Sequence, residues 1–144
     1  PGGRLVGQVR AELGKHAMVE SIPGPSALTA TLSVSGINTD RFLFLGFLPH
    51  KKGRQTMIKE IIDSEHPVAL FESKHRIQKL LKELAATEVN LDIFVAREVT
   101  KMHESFYIGS ATEVLEELES SPSNLKGEFV VVVNKKRNRL RTPF

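Results

Sequence analysis

Ionisable side chains are concentrated in the segment AREVTKMHE, which spans residues 96–104 and follows an apolar run. Four kinds of ionisable group occur there, at Arg97, Glu98, Lys101, His103 and Glu104. Such groups can move protons or stabilise developing charge when they lie close together. A corner between two strands is also often charged simply because it is exposed. The segment therefore indicates either a catalytic corner or a solvated turn.

A second candidate segment is IPGPSA, residues 22–27. Its two prolines restrict the backbone, Gly24 permits an unusual dihedral, and Ser26 offers a hydroxyl near the free N–H groups of a helix start. Ligands of α/β sheets collect beyond the carboxyl ends of strands, so a corner of this kind can border a binding site. An N-capped helix after a tight turn explains the same residues without a ligand.

The segment FESKHR, residues 71–76, joins the end of a strand to the start of a helix. Glu72 ends the apolar run, and His75 and Arg76 begin the next helical pattern. A carboxylate at a strand end can act as an acid or a base. A buried glutamate paired with an arginine can equally be structural, so both interpretations stay open on these residues alone.

Alternating hydrophobic periods predict the elements that position these segments. Helical spacing indicates helices over residues 4–13, 26–36, 53–63, 75–86 and 111–119. Apolar or β-branched runs indicate strands over residues 16–22, 41–49, 66–73, 90–98, 104–109 and 127–135. The run 41–49 suits a strand with both faces covered, 104–109 an antiparallel strand and 127–135 a central one. Strands separated by helices predict an α/β or mixed α+β layer domain.

Composition excludes several classes of function. The chain has 144 residues, 40% of them hydrophobic, and no cysteine, which excludes disulfides and thiolate catalysis. Its five histidines lack metal-ligand spacing, and no P-loop, dinucleotide fingerprint or nucleophile elbow occurs. No apolar run is long enough to cross a bilayer. We therefore expect a cytoplasmic protein with no metal and no membrane contact.

Positive side chains are clustered although the formal charge is only +3. The segment PHKKGR carries Lys51, Lys52 and Arg54, and NKKRNRLR at 134–141 carries five further cations. Such clusters can contact phosphate groups, or they can be a solvated surface or tail.

The chain opens with PGGRLV and has no strand before its first helix. Because an α/β unit normally feeds its helix from a strand, this opening indicates a fragment of a larger fold. We expect residues 1–39 to be a remnant of an N-terminal domain with its connecting helix. Residues 40–134 are predicted to form a C-terminal α/β domain, and residues 135–144 a basic tail.

Six segments occur in the order and spacing of one known family. They are PGGRLV, IPGPSALTATLSVSG, DRFLFLGFLPHKKGR, FESKHRI, AREVTKMHE and KGEFVVVV. Over essentially its whole length the chain resembles the tetrapyrrole methylase superfamily, and within it the branch that methylates cytidine ribose in small-subunit ribosomal RNA. The resemblance implies the C-terminal mixed-sheet α/β domain of a two-domain fold, with the tail end of the N-terminal domain attached.

The resemblance also implies an enzyme that depends on S-adenosylmethionine and is usually a homodimer. The cofactor site would lie between two domains and be shared with an N-terminal domain missing from this chain. The share of the site expected here consists of Ser26, Ala27, Phe71, Ala96, Arg97, Gly127 and Glu128.

The implied reaction is an in-line attack of a ribose 2′-hydroxyl on the sulfonium methyl group, in which the protein mainly aligns the two. The catalytic candidates are Arg97, Glu98, Lys101 and Glu72. The RNA contacts, with the small ribosomal subunit as partner, are expected at Lys51, Lys52, Arg54 and Arg76. Two alternatives stay open: a methylase of the same superfamily acting on a corrin, a porphyrin or a protein, and a non-catalytic RNA-binding or dimerisation fragment.

Overall fold

A computed structural model describes residues 2–136 of the chain. Its helices are α1 (Gly3–Leu13), α2 (Ala27–Val34), α3 (Arg54–Asp63), α4 (Ile77–Ala85) and α5 (Ala111–Glu119), with a 3-10 helix at Gly14–His16. Its strands are β1 (Leu43–Phe47), β2 (Val68–Ser73), β3 (Leu91–Arg97), β4 (Ser105–Gly109) and β5 (Glu128–Lys135). All the predicted helices are confirmed, and so are all the predicted strands except the first.

The strands form one mixed sheet in the order β1-β2-β5-β3-β4. β1 and β2 pair in parallel, and the other neighbours pair antiparallel, including β3 with β4 as predicted. β5 is the central strand and its residues 129–133 are buried, which confirms its predicted place. The mixed α/β fold class is therefore confirmed. This topology brings the carboxyl ends of β1, β2 and β3 to the same edge as the amino ends of β4 and β5.

Helices cover the two faces of the sheet unequally. α3, α4 and α5 pack together on one face, and α2 covers part of the other through Leu28 and Leu32. The apolar stripe of α4 is the most regular, with four buried residues at helical spacing: Ile77, Leu80, Leu81 and Leu84. Burial of each such side chain contributes about 1.5–3 kcal/mol, so these stripes hold the helices on the sheet.

The start of α5 follows from a local signal. Ser110 Oγ accepts a hydrogen bond from the Glu113 N–H at 3.3 Å, and Glu113 Oε2 accepts one from the Ser110 N–H at 2.7 Å. This reciprocal pair is a capping box, which satisfies two N–H groups that the helix itself leaves free. The predicted span of 111–119 is confirmed.

Two strand predictions need correction. Residues 16–22 are not a strand: they leave the 3-10 helix as an irregular, mostly exposed segment that pairs with no strand in the described range. β1 lies at the edge of the sheet and does not have both faces covered, since Phe44 is 42% and Phe47 60% exposed. A shift in register with β2 interrupts it between these phenylalanines, where Gly46 has a positive φ of 62°.

The first two helices differ in their contact with the rest of the protein. α1 has no buried residue, whereas α2 packs on the sheet. The predicted division into residues 1–39, 40–134 and 135–144 stays a prediction.

Among residues 2–136, no helix is long and apolar enough to cross a membrane. The same residues contain no cluster of three or more histidine, aspartate or glutamate side chains that could hold a metal ion.

Candidate functional site

A cavity of about 370 Å³ lies at the sheet edge where β1, β2 and β3 end. Its wall comes from the Pro-Gly-Pro corner, the ends of β1 and β2, the β3–β4 loop and the start of β5. The lining residues are Pro25, Ala27, Phe47, Phe71, Glu72, Glu98, Val99, Thr100, Lys101, Glu128, Phe129 and Val130. A mostly apolar wall with a few convergent charges is typical of a small-molecule site.

A larger groove of about 1000 Å³ lies at the opposite edge of the sheet. Its lining is mainly polar and includes Asp40, His66 and Lys136, but none of the predicted catalytic or cofactor-binding residues. The smaller cavity is therefore the better candidate, because it gathers residues from several of the predicted segments.

Aromatic side chains form the apolar part of the cavity wall. The ring centroids of Phe47 and Phe71 are 5.5 Å apart, and Phe44 packs edge-on against Phe71 at 5.1 Å. Phe47 is 60% exposed, so part of this aromatic surface is open to a ligand. Aromatic faces provide large apolar contact areas for flat organic rings.

The charged part of the wall is the Glu98–Lys101–Glu128 cluster. Lys101 Nζ donates hydrogen bonds to Glu98 Oε1 and to Glu128 Oε2, each at 3.0 Å. Glu98 Oε1 also accepts a hydrogen bond from the Glu128 N–H at 2.9 Å. One lysine thus bridges a carboxylate of the β3–β4 loop to a carboxylate at the start of β5.

These contacts move the pKa values of the cluster in opposite directions. The hydrogen bond from Lys101, followed by the one from the Glu128 N–H, holds the pKa of Glu98 below its ordinary value. Hydrogen bonds to Glu98 and then to Glu128 raise the pKa of Lys101 above its ordinary value. Glu98 is therefore a weakened base and Lys101 a persistent ammonium at neutral pH.

The backbone beside the cavity is in an uncommon conformation. Glu98 and Thr100 have φ of 50° and 66°, in the left-handed region that side chains disfavour. Gly127 has φ of 107°, and a Cβ there would lie 2.5 Å from Glu98 Cγ. The glycine is thus needed for Glu98 to approach β5 closely.

One protein family matches most of the chain. Residues 2–115 match the family described as Tetrapyrrole (Corrin/Porphyrin) Methylases. The chain belongs to this family.

Curated relatives place the chain beside one group of tetrapyrrole methylases. It is 39% identical over 94% of its length to "Ribosomal RNA small subunit methyltransferase I" of Hydrogenobaculum sp.. It is 41% identical over 93% of its length to the protein of the same name from Mycoplasma pneumoniae. The matches cover 57% and 47% of those proteins, so the chain spans about half the length of the curated relatives it matches.

Solved tetrapyrrole methylases share the fold. The methyltransferase CobJ superposes with a TM-score of 0.60 at 19% identity, over 92% of this chain and 57% of that one. The cobalt precorrin-4 methyltransferase CbiF gives 0.61 at 14% identity, over 90% of this chain and 58% of that one. At these identities the likeness establishes the fold alone.

Arg97 was predicted to act in both catalysis and cofactor binding, but it lies behind the cavity. It is buried, and its Nε, Nη1 and Nη2 donate to the carbonyl oxygens of Lys126, His103 and Ser123 at 2.6, 2.9 and 2.8 Å. The guanidinium thus ties the β3–β4 loop to the segment before β5. This placement favours a positioning role over contact with reacting atoms.

The other predicted cofactor residues divide into two groups. Ala27, Phe71 and Glu128 line the cavity, as do the predicted catalytic residues Glu72, Glu98 and Lys101. Ser26 is the N-cap of α2 and accepts a hydrogen bond from the Thr29 N–H at 3.4 Å, which confirms the helix-capping interpretation. Ala96 is fully buried in the core cluster that α2 covers, and Gly127 acts through its space for Glu98.

The predicted RNA-contacting residues are also divided. Lys51 and Lys52 are exposed in the basic loop, defined here as residues 48–53. Arg54 is only 2% exposed and forms three hydrogen bonds to Glu83 at 2.7–3.1 Å, a placement that does not favour its predicted contact with RNA. Arg76 is similarly engaged, with its Nη1 donating to the Leu48 carbonyl oxygen at 2.8 Å.

The basic tail begins at the opposite edge of the sheet from the basic loop. Lys135 is the last residue of β5 and its Nζ donates to the Asp63 carbonyl oxygen at 3.0 Å. Lys136 Nζ lies 3.4 Å from Asp92 Oδ1. The remaining tail cations, Arg137, Arg139 and Arg141, lie outside the described residues.

Several lining residues were not predicted. Phe47 carried a usable signal, because it ends an apolar strand at the edge where ligands collect. Phe129 and Val130 directly follow the predicted Glu128 on β5. Thr100 carried no signal, because nothing in its residue type or its neighbours predicts the positive φ that it has in the β3–β4 loop.

Proposed function

We propose that the complete protein transfers a methyl group from S-adenosylmethionine to the ribose 2′-hydroxyl of a cytidine in small-subunit ribosomal RNA. The main support for this proposal is the 39% identity, over 94% of the chain, to a relative named for this class of substrate. We place the methyl group on the ribose 2′-hydroxyl because the six motif segments resemble the branch that methylates cytidine ribose.

The cavity fits S-adenosylmethionine in chemical character. Phe47 and Phe71 offer apolar surface for adenine, and the carboxylates of Glu98 and Glu128 offer negative charge to a cationic ligand. When bound, the cofactor supplies an electrophilic methyl group. Ala27, Phe71 and Glu128 would hold it, together with residues of the half of the relatives that this chain does not cover.

Lys101 is the group best placed to assist the chemistry. A persistent ammonium beside the cavity would stabilise the negative charge that develops on the attacking hydroxyl. Glu98 would hold this ammonium in place. Because its lowered pKa makes it a weak base, the proton of the attacking hydroxyl would pass to water and not to Glu98. Arg97 would act from behind the wall by holding the β3–β4 loop, which carries Glu98 and Lys101. Glu72 lines the cavity but its side chain has no exposed surface, so it would act through the two arginines beside it.

The RNA contacts are assigned to Lys51 and Lys52, which are exposed cations on the basic loop that directly follows Phe47 of the cavity wall. Backbone contacts of this kind position a nucleic acid without reading its sequence. Arg54 and Arg76 are left out because their guanidinium groups are already engaged inside the protein. A cytoplasmic location and a homodimer complete the proposal, on the strength of the family resemblance.

The test incubates the complete protein with S-adenosylmethionine labelled in its methyl group and small ribosomal subunits that lack ribose methylation. Label should appear in the RNA, and mapping should place it on a cytidine ribose. A corrin or porphyrin precursor and ribosomal protein serve as competing acceptors in parallel reactions. Label in a macrocycle or a protein with none in RNA would overturn the proposal in favour of another methylase activity.

A further inference from the structure

A buried carboxylate of the cavity wall, that of Glu72, lies between two arginines. The Glu72 side chain has no exposed surface. Its Oε1 accepts a hydrogen bond from the Ser73 N–H at 2.8 Å and lies 2.9 Å from Arg76 Nε. Its Oε2 lies 3.7 Å from Arg54 Nη1 and forms no hydrogen bond with any residue in the described part of the chain.

Both arginines also contact the basic loop that carries Lys51 and Lys52. Arg76 Nη1 donates to the Leu48 carbonyl oxygen at 2.8 Å, where the loop begins. Arg54 follows the loop as the first residue of α3, and its Nη1 donates to the Pro49 carbonyl oxygen at 3.5 Å. Glu72 thus faces two guanidinium groups that hold the start of the same loop.

The same chain segments form the cavity wall. Phe47 lines the cavity and directly precedes Leu48, while Phe71 lines it and directly precedes Glu72. The loop, the buried carboxylate and the aromatic wall are therefore joined through residues that are adjacent in sequence.

Stability alone gives a weak reason for this arrangement. Glu72 and Glu83 balance the charges of Arg54 and Arg76, but burying ions carries a desolvation cost that well-packed apolar residues avoid. What a guanidinium offers in addition is a planar set of donors that can bind a carboxylate and a carbonyl oxygen at once. That geometry fixes the direction of the loop backbone.

We infer that Glu72 is a positioning residue that acts through Arg76 and Arg54 to hold Lys51 and Lys52 at a set place beside the cavity. The inference rests on the proposed function, because the loop matters only if it binds RNA phosphates. RNA bound to the loop would then be aligned with the methyl group in the cavity. The prediction is a loss of alignment, with no loss of cofactor affinity, when Glu72 is neutralised.

The experiment compares Glu72→Gln with Glu119→Gln in the complete protein. Glu119 is a matched control because its carboxylate pairs with Lys82 on the surface and is 39% exposed. We expect kcat on small ribosomal subunits to fall about 10- to 100-fold in Glu72→Gln, since a misplacement near 1 Å can cost that much. The Kd for S-adenosylmethionine should stay within about twofold of wild type in both variants.

A double-mutant cycle separates positioning from a general structural role. Lys51→Ala with Lys52→Ala should weaken RNA binding and lower its salt dependence in the wild-type background. The same pair of changes should have a smaller effect in the Glu72→Gln background, because the two lysines are no longer held in place. The Arg54 N–H donates to the carbonyl oxygen of Lys51 in the loop at 3.2 Å, and its hydrogen exchange should accelerate about tenfold in Glu72→Gln and stay unchanged in Glu119→Gln.

Arg76→Lys covers the case in which Glu72→Gln does not fold. It keeps the charge on a side chain that is 15% exposed, but a lysine lacks the two separated donors that reach Glu72 and Leu48. Wild-type kcat and loop exchange in a folded variant would overturn the positioning role alone. A wild-type protein that neither binds nor methylates RNA would overturn both the proposed function and this role for the loop.

Discussion

Two acid–base clusters lie at the same edge of the sheet, one buried and one exposed. The Glu72 side chain has 0% exposure and faces Arg54 and Arg76, whereas Glu128 is 84% exposed and meets Lys101. An unpaired ion in the buried cluster could not be solvated, so its members must stay paired. Water and salt screen the exposed cluster, so its members can exchange partners at little cost. The first cluster therefore suits a role in holding the backbone and the basic loop in place, and the second a ligand-facing one.

Removal of an arginine from the buried cluster should have the largest effect. Arg54→Ala leaves Glu72 Oε2 without its only nearby cation among the described residues and removes the three hydrogen bonds to Glu83, so it is expected to lower the free energy of unfolding by about 3–5 kcal/mol. Urea unfolding followed by circular dichroism measures this loss. Lys101→Ala is the matched change in the exposed cluster and should move the midpoint only slightly. Equal losses in the two variants would contradict the contrast between the clusters.

An intermediate effect is expected where the exposed cluster depends on backbone geometry. Gly127→Ala should destabilise the protein by about 1–3 kcal/mol, because a side chain disfavours its positive φ and the new Cβ meets Glu98. Gly24→Ala is the control, since a Cβ there has no atom within 4 Å. Thermal unfolding compares the two.

The double variant Gly127→Ala with Glu98→Ala identifies the source of that cost. The double variant should regain the stability that Gly127→Ala loses through the clash with Glu98. It should keep the loss that comes from the positive φ of residue 127. No recovery at all would show that Glu98 does not press against β5 as described.

The smallest effect is the pH dependence of the exposed cluster. Because the pKa of Glu98 is lowered in the folded protein, its contribution to stability is present above its ordinary pKa of 4.5 and is lost as pH falls through the folded value. The raised pKa of Lys101 gives a contribution that is present below its ordinary 10.5 and is lost as pH rises through the folded value.

Glu98→Gln tests the acid side of this dependence. Urea midpoints measured from neutral pH to below 4.5 should fall less steeply in the variant than in the wild type. The difference should shrink in high salt, because salt screens exposed charges. Parallel curves for the two proteins would show that Glu98 keeps its ordinary pKa.

Elements with local signals were predictable in both extent and type. The capping box at Ser110 sets the start of α5, and the run of valines in β5 marks a strand buried on both faces. The placement of β1 was not predictable, because an apolar run looks the same at the edge and in the centre of a sheet. The strand predicted over residues 16–22 was wrong for a related reason. A strand needs a partner strand, and no local pattern can show whether one is present.

The candidate site follows the same division. Local order and residue type were enough to find the charged strand ends, the Pro-Gly-Pro corner and the family to which they belong. They could not tell that Arg54 is buried while Lys51 is exposed, because Arg54 binds a glutamate 29 positions away. Nor could they tell that Arg97 binds carbonyl oxygens while Lys101 faces the cavity. Burial depends on contacts between segments that are distant along the chain. Only the tertiary structure therefore decides which charged side chains hold the protein together and which remain available to a ligand.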